Sequence, residues 1–297
     1  MIIKFKIRKV MLNNLKAKKV INACFAISMV FLCSCSASFT YNNLSWLSSF
    51  WVDDYIDLNK TQNKQLKQII NSTQAWHRST QLPAYKQDIQ NIKALFNTTL
   101  SIDQLKEQVV FARKHWQNLL EYAHMPLAEL GATLSSEQRE ELLNNIQIKI
   151  NDEREEFNEQ TPLERKSERL EEQFEYYEQW IGKLNKQQKA LIKSTNEQHQ
   201  DSGALWLEYK QTRLNAAKQV FTNAEITKKE FINQLSTVIK ERELYMSDAL
   251  LKTNEANLDL YINLLYELNS TLNDKQRQSV NDQFDELIET LNDIIEN

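Results

Sequence analysis

Glycine is almost absent from this sequence. Gly131, Gly182 and Gly203 are the only three in 297 residues, and proline is as rare, at Pro83, Pro126 and Pro162. Sheet proteins punctuate their strands with Gly, Pro and Asn-Gly or Asp-Gly turns, and neither dipeptide occurs here. The three glycines stand too far apart to form a Walker loop, a G-x-G-x-x-G loop or a G-x-S-x-G nucleophile turn. Cysteine is confined to Cys24, Cys33 and Cys35, so the rest of the chain has no thiol for a disulfide, a metal or nucleophilic chemistry. Acidic residues are missing from the first 34 positions, which hold seven basic ones: Lys4, Lys6, Arg8, Lys9, Lys16, Lys18 and Lys19. The remainder carries 29 Lys and Arg against 40 Asp and Glu, a net charge of −11. Phosphate contacts need a basic surface, so no nucleic-acid partner is expected, and the negative charge reads as solubility.

No apolar run is long. The longest covers residues 20–32, VINACFAISMVFL, too short to cross ~30 Å of hydrocarbon comfortably as a helix. A basic stretch, a short apolar run and small residues after it match a secretory signal over residues 1–34; translation starting at Met1 or at Met11 fits equally. The run ends in Leu32-Cys33-Ser34-Cys35. This resembles the lipobox of bacterial lipoproteins, in which the final Cys is lipidated and becomes the mature N-terminus. The resemblance implies lipidation at Cys35 (a palmitate-bearing membrane anchor), with Leu32, Cys33 and Ser34 as the cleavage motif. Ser36, where the sorting rule of such lipoproteins has Asp for retention in the inner membrane, implies the periplasmic face of the outer membrane.

Residues 35–40 form a short tether. The five residues after Cys35 reach at most ~17 Å, so the domain that follows, 41–297, sits close to the bilayer. It opens with an aromatic block in which Leu44, Leu47 and Trp51 are spaced i, i+3, i+7 and Trp46 and Phe50 are i, i+4. One short amphipathic helix is expected there. It lies either at the membrane interface, where Trp and Tyr favour the headgroup level, or packed on the rest of the protein. With no Lys or Arg beside it to meet anionic lipid, packing is the reading preferred. The acids Asp53, Asp54 and Asp57 read as helix capping and positioning rather than a cation site, which needs more oxygen ligands at loop spacing.

Abundant Gln, Glu, Lys and Leu point to helices with solvated outer faces, and a five-residue pattern marks where they begin. Leu, then Asn or Ser, two variable residues and Gln recurs at 58–62, 100–104, 134–138, 184–188 and 272–276, with a looser version at 226–230. This is a capping box: the first polar side chain accepts from a free N–H of the first turn while the Gln reaches back to the cap N–H. Thr161-Pro162-Leu163-Glu164 is another, with Pro where a missing N–H costs nothing. These signals place helix starts near 60, 83, 102, 136, 162, 186, 203, 228 and 274, with a further break between 236 and 255. Apolar stripes agree along Ile102, Leu105, Val109, Ala112, Trp116, Leu119 and Ala123, along Leu170, Phe174, Tyr177 and Ile181, and along Phe284, Leu287, Leu291 and Ile294. The expected fold is all-α, an elongated bundle of about eight to ten antiparallel helices, with a subdivision near 222–227.

Tyr41-Asn42-Asn43-Leu44, Trp46, Asp53-Asp54-Tyr55, Asp57-Leu58, Ala75-Trp76-His77-Arg78 and Leu82-Pro83 together resemble the opening of an uncharacterised family of proteobacterial lipoproteins, a domain of unknown function. Glu178-Gln179-Trp180-Ile181-Gly182-Lys183-Leu184, Ala204-Leu205-Trp206 and Leu272-Asn273-Asp274-Lys275-Gln276-Arg277 extend the resemblance over the mature chain. It implies a helical, lipid-anchored envelope protein with no assigned activity. The helix-start pattern is also similar to that of periplasmic chaperones of the Spy and CpxP kind, which implies a helical cradle for unfolded envelope proteins; on the motif alone a purely local capping role is the reading preferred.

Nothing in the chain spells out catalysis. His77, His115, His124 and His199 form no H-E-x-x-H or similar close pair, and paired carboxylates such as Glu155-Glu156 sit in charge-rich helical runs that read as solvated faces. No cofactor and no metal is expected. Trp76-His77-Arg78 is the most suggestive polar cluster, suited to an anionic or aromatic group or to a packing corner. The expected function is a non-enzymatic protein-binding or chaperone-like factor with envelope-protein partners. A structural adaptor in an envelope complex is the alternative, and a hydrolase of envelope polymers is a more distant one.

Overall fold

Each of the seven expected capping boxes closes. In the computed structural model, which describes residues 37–98 and 100–296, Asn59, Ser101, Ser135, Thr161, Asn185 and Thr227 all accept from the N–H three residues on, and the Gln or Glu there accepts from the cap N–H. Asn273 and Gln276 do the same. The lipobox residues Leu32, Cys33, Ser34 and Cys35, and Ser36, lie outside the described residues.

After a helical segment at 37–42, eleven α-helices follow among the described residues, seven of them begun by these boxes: α1 Leu44–Asp53, α2 Lys60–Trp76, α3 Leu82–Phe96, α4 Ile102–Gly131, α5 Ser136–Glu159, α6 Pro162–Ile181, α7 Lys186–Gln198, α8 Gly203–Thr222, α9 Lys228–Lys240, α10 Asp248–Ser270 and α11 Asp274–Glu296. No strand interrupts them, and the chain is an all-α helical bundle. The break expected between 236 and 255 is a single 3₁₀ turn, Arg242–Tyr245, before Ser247 caps α10 by accepting from the Leu250 N–H. Gly182 ends α6 with φ of 74°, a left-handed conformation that costs an L-residue energy.

The apolar faces gather in two cores. The first joins Ile56 and Leu58 to Leu66 and Ile69 of α2, Ala128 and Leu130 of α4, Leu143 and Ile150 of α5, and the facing sides of α8 and α9 through Leu214, Phe221, Phe231 and Leu235. Both helices flanking the 222–227 segment pack into this one core. The second joins Phe96 of α3, Tyr177 and Ile181 of α6, Ile192 of α7, Leu264 and Leu268 of α10, and Val280 and Phe284 of α11. Helix α4, thirty residues and so ~45 Å long, packs against α9, α2, α3 and α10. Its middle is thinly covered: Ala112 and Trp116, expected on a buried stripe, are exposed, because α3 meets the side that carries His115 instead.

The glutamines of the capping boxes do more than close their own caps. Gln62 and Gln138 exchange a reciprocal pair of amide hydrogen bonds, 2.9 and 2.8 Å, and Gln188 and Gln276 exchange another, 2.9 and 3.0 Å. Each amide also donates to a carbonyl two residues ahead of the opposite cap. Gln62 donates to Thr133 and Gln138 to Asp57; Gln188 donates to Thr271 and Gln276 to Lys183. Each pair binds two helix starts together at the edge of one core, the first beside Leu58 and Leu134, the second beside Leu184 and Leu272. Gln62, Gln188 and Gln276 are buried, Gln188 at 0% exposure, and Gln138 is half-buried; this is tolerated because both donors and both acceptor positions of every amide are used.

Candidate functional site

Helices α2 and α3 form one rod with a fault in it. Pro83 has no N–H to give to the Ser79 carbonyl and its ring crowds that carbonyl. The rod widens there into a π-turn, His77–Gln81, in which the Leu82 N–H reaches the His77 carbonyl five residues back. π-Turns inside helices frequently mark functional positions. This one carries His77 and Arg78 of the polar trio read from the sequence.

Around it the structure brings together Tyr41, Asn42, Trp76, His77 and Arg78. The Tyr41 hydroxyl lies 3.1 Å from His77 Nδ1 and donates to the Gln74 carbonyl at 3.2 Å. Arg78 donates to Asn42 and its guanidinium lies 5.4 Å from the Tyr41 ring centre. The Gln74 amide donates to the Tyr41 carbonyl. His77 Nε2 continues to the Tyr85 hydroxyl at 3.1 Å. The Tyr85 ring packs edge-on against His115, whose Nε2 lies 2.5 Å from Asp88 Oδ2. Trp76 turns to the other side and stacks on Tyr122 at 4.3 Å. Burial pushes the Tyr41 and Tyr85 hydroxyls up from their ordinary values. Burial first, and the neighbouring His115 second, push His77 down, which favours its neutral form.

Chemically this is a half-buried chain of tyrosine hydroxyls and imidazoles that ends on the Asp88 carboxylate and is flanked by the Arg78 guanidinium. It clasps the 41–42 segment to the α2–α3 rod. Tyr85, Asp88 and His115 are its members that sequence reading missed, since their meeting depends on how α3 and α4 cross. Trp46 is 55% exposed, on α1, away from the cluster. Asp53, Asp54 and Asp57 are exposed, and Asp57 takes part through its backbone, accepting from Gln138 and donating to Glu141. Among the described residues no three His, Cys, Asp or Glu are placed to hold a metal ion.

The second feature had no signature in the sequence. The first core is incompletely filled, leaving an apolar cleft of about 510 Å³ between α5, α8, α9 and the end of α4. Leu142, Ile146 and Ile150 line one wall, and Tyr209, Leu214 and Ala217 another. Val52 and Tyr55 of the α1 end complete it, with Leu235 and Val238 beneath. Exposed Lys149, Glu153 and Lys210 mark the mouth, where Lys210 pairs with Glu153. Arg213 is held against the wall by donating to the Val238 and Ile239 carbonyls at 3.0 and 3.2 Å, which satisfies the free carbonyls of the last turn of α9.

The family model for DUF6279, a family of unknown function, matches residues 54–250. That span holds the π-turn, all of the cleft but its α1 edge, and the first glutamine pair. No curated protein and no solved structure matches the chain.

Proposed function

The chain belongs to this family of unknown function, and we propose that it is a non-enzymatic binding protein of the bacterial envelope. In this reading Cys35 carries the lipid that holds it on the periplasmic face of the outer membrane, and the cleft shelters apolar segments of immature envelope proteins. The observation that carries it is the cleft: an apolar concavity of about 510 Å³ opening beside charged rim residues, the form that binding sites for apolar groups take. The π-turn cluster contributes by fixing the N-terminal segment, and so the whole domain, at a set distance from the anchor. The Gln and Glu side chains of the seven capping boxes are spent on helix starts, their own or a paired one, which leaves the repeated motif a structural role, so the cleft, and not the motif, is the support for a chaperone-like part.

The test is photo-crosslinking in cells, with the full lipoprotein carrying the crosslinker at Lys149 on the cleft rim or at the exposed Lys193 on α7. A broad set of immature outer-membrane and periplasmic proteins captured from position 149 and not from 193 supports the proposal. One or two stoichiometric partners would replace it with a dedicated adaptor, and equal capture from both positions would remove the cleft from the account.

A further inference from the structure

Helix α1 has two different sides. Ser48 is buried against the neighbouring elements, and α1 packs on α2. Roughly half a turn round lie Trp46 and Phe50, exposed to 55% and 56%. Residues 37–42 are helical too, separated from α1 by a turn at Asn43, and Phe39 among them is 58% exposed. The four-residue spacing sets the Trp46 and Phe50 rings within about 40° of one another on one face of α1. Trp46 and Phe50 meet edge to face at 5.1 Å, and Trp51, 54% exposed, widens the strip. Packing, the reading preferred from sequence, accounts for one side of this helix and leaves the aromatic side bare.

We propose that this aromatic face lies in the headgroup region of the membrane that holds Cys35, so that α1 rests on the bilayer as an interfacial helix. The proposal builds on the lipid-anchor reading above, and chain length selects the occupant. Phe39 is four residues beyond Cys35 and so no more than ~14 Å from it. With the lipid inserted, the face starts at the level of the headgroups, where Trp and other amphipathic aromatic rings are most stable. The helix is ten residues long, and no helix among the described residues is long and apolar enough to cross a membrane, so α1 lies along the surface. No Lys or Arg stands between Lys19 and Lys60. The contact is therefore apolar and aromatic, and it discriminates little between neutral and anionic lipid, unlike a basic interfacial helix.

Lipidation blocks the Cys35 thiol and cleavage before Cys35 removes Cys24 and Cys33, so one introduced cysteine is uniquely labelled. The purified lipoprotein, as Phe50→Cys or as Leu163→Cys at an exposed position of α6, is labelled with an environment-sensitive fluorophore and reconstituted in phosphatidylcholine vesicles. The expected result is a blue-shifted emission at position 50, quenched several-fold more by spin-labelled lipid than at position 163. Adding phosphatidylglycerol or raising salt should change it less than twofold. Flotation with the vesicles, compared with Cys35→Ser, reads the anchor separately. Protein that floats while position 50 reports water overturns the seating alone, whereas protein that fails to float overturns both readings. A blue shift insensitive to lipid-borne quencher also overturns the seating, by assigning the face to a second copy of the chain.

Discussion

Gln188 is fully enclosed, and yet its amide is the most connected polar group in the second core. It accepts from the Asn185 N–H and from Gln276, and donates to Gln276 and Thr271. Replacing it by Leu strands the Gln276 amide and the α7 cap together, and each buried orphan costs ~1–3 kcal/mol. Gln188→Leu should therefore destabilise the protein by about 3 kcal/mol. Gln104 occupies the same place in a capping box but serves its own cap alone, so Gln104→Ala should cost only about 0.5–1 kcal/mol. Urea midpoints of the two variants measure the contrast; equal losses would mean that the reciprocal pair adds nothing to the cap. At this scale the sequence was half legible. The cap is a four-residue event and can be read in the chain. The amide pairing joins positions 76 and 88 residues apart and leaves no local trace. The polar trio was legible in the same partial way: Trp76, His77 and Arg78 stood out as a cluster, but their partners Tyr85, Asp88 and His115 did not.

At the scale of the element, helix starts could be read and the faces of long helices could not. Ser247 escaped notice because it caps α10 without a Gln or Glu three residues on. The stripe along α4 was displaced because its neighbours cover different arcs along thirty residues, and periodicity alone does not say which arc a partner will choose. Close approaches are equally silent in sequence. Gly203, the first residue of α8, lies under the Phe157 ring, and a Cβ there would stand 2.3 and 2.8 Å from two of its carbons. That ring is covered in turn by the Arg165 guanidinium at 3.9 Å. Alanine normally favours a helix over glycine by up to ~1 kcal/mol. Here Gly203→Ala should instead destabilise by ~1–3 kcal/mol through overpacking, read as a fall in thermal midpoint, and a rise would show that the Phe157 ring moves away freely.

For the whole molecule the all-α class followed from the scarcity of glycine and proline, because a chain without turn residues can economically form little but helices. The arrangement in two cores did not follow, since both draw residues from segments more than a hundred positions apart. The cleft is the sharpest case. It is a deficit of packing where six segments converge, and nothing in any one of them records it. An apolar fluorescent dye should bind the folded protein with enhanced emission, and Ala217→Trp, which puts a ring into the cleft wall, should abolish most of that signal while leaving the helical circular dichroism unchanged. Undiminished dye binding in the variant would place the apolar site elsewhere.

The paired glutamines also bear on the order in which the chain assembles. A cap forms with its own first turn, on the timescale of a single helix. The amide pair joins two such starts only after the intervening chain has closed into a loop, and loops of that length close late. Each pair therefore acts as a latch set after its helices are in place, holding the finished core shut. Its energy goes chiefly into slowing unfolding rather than into speeding folding.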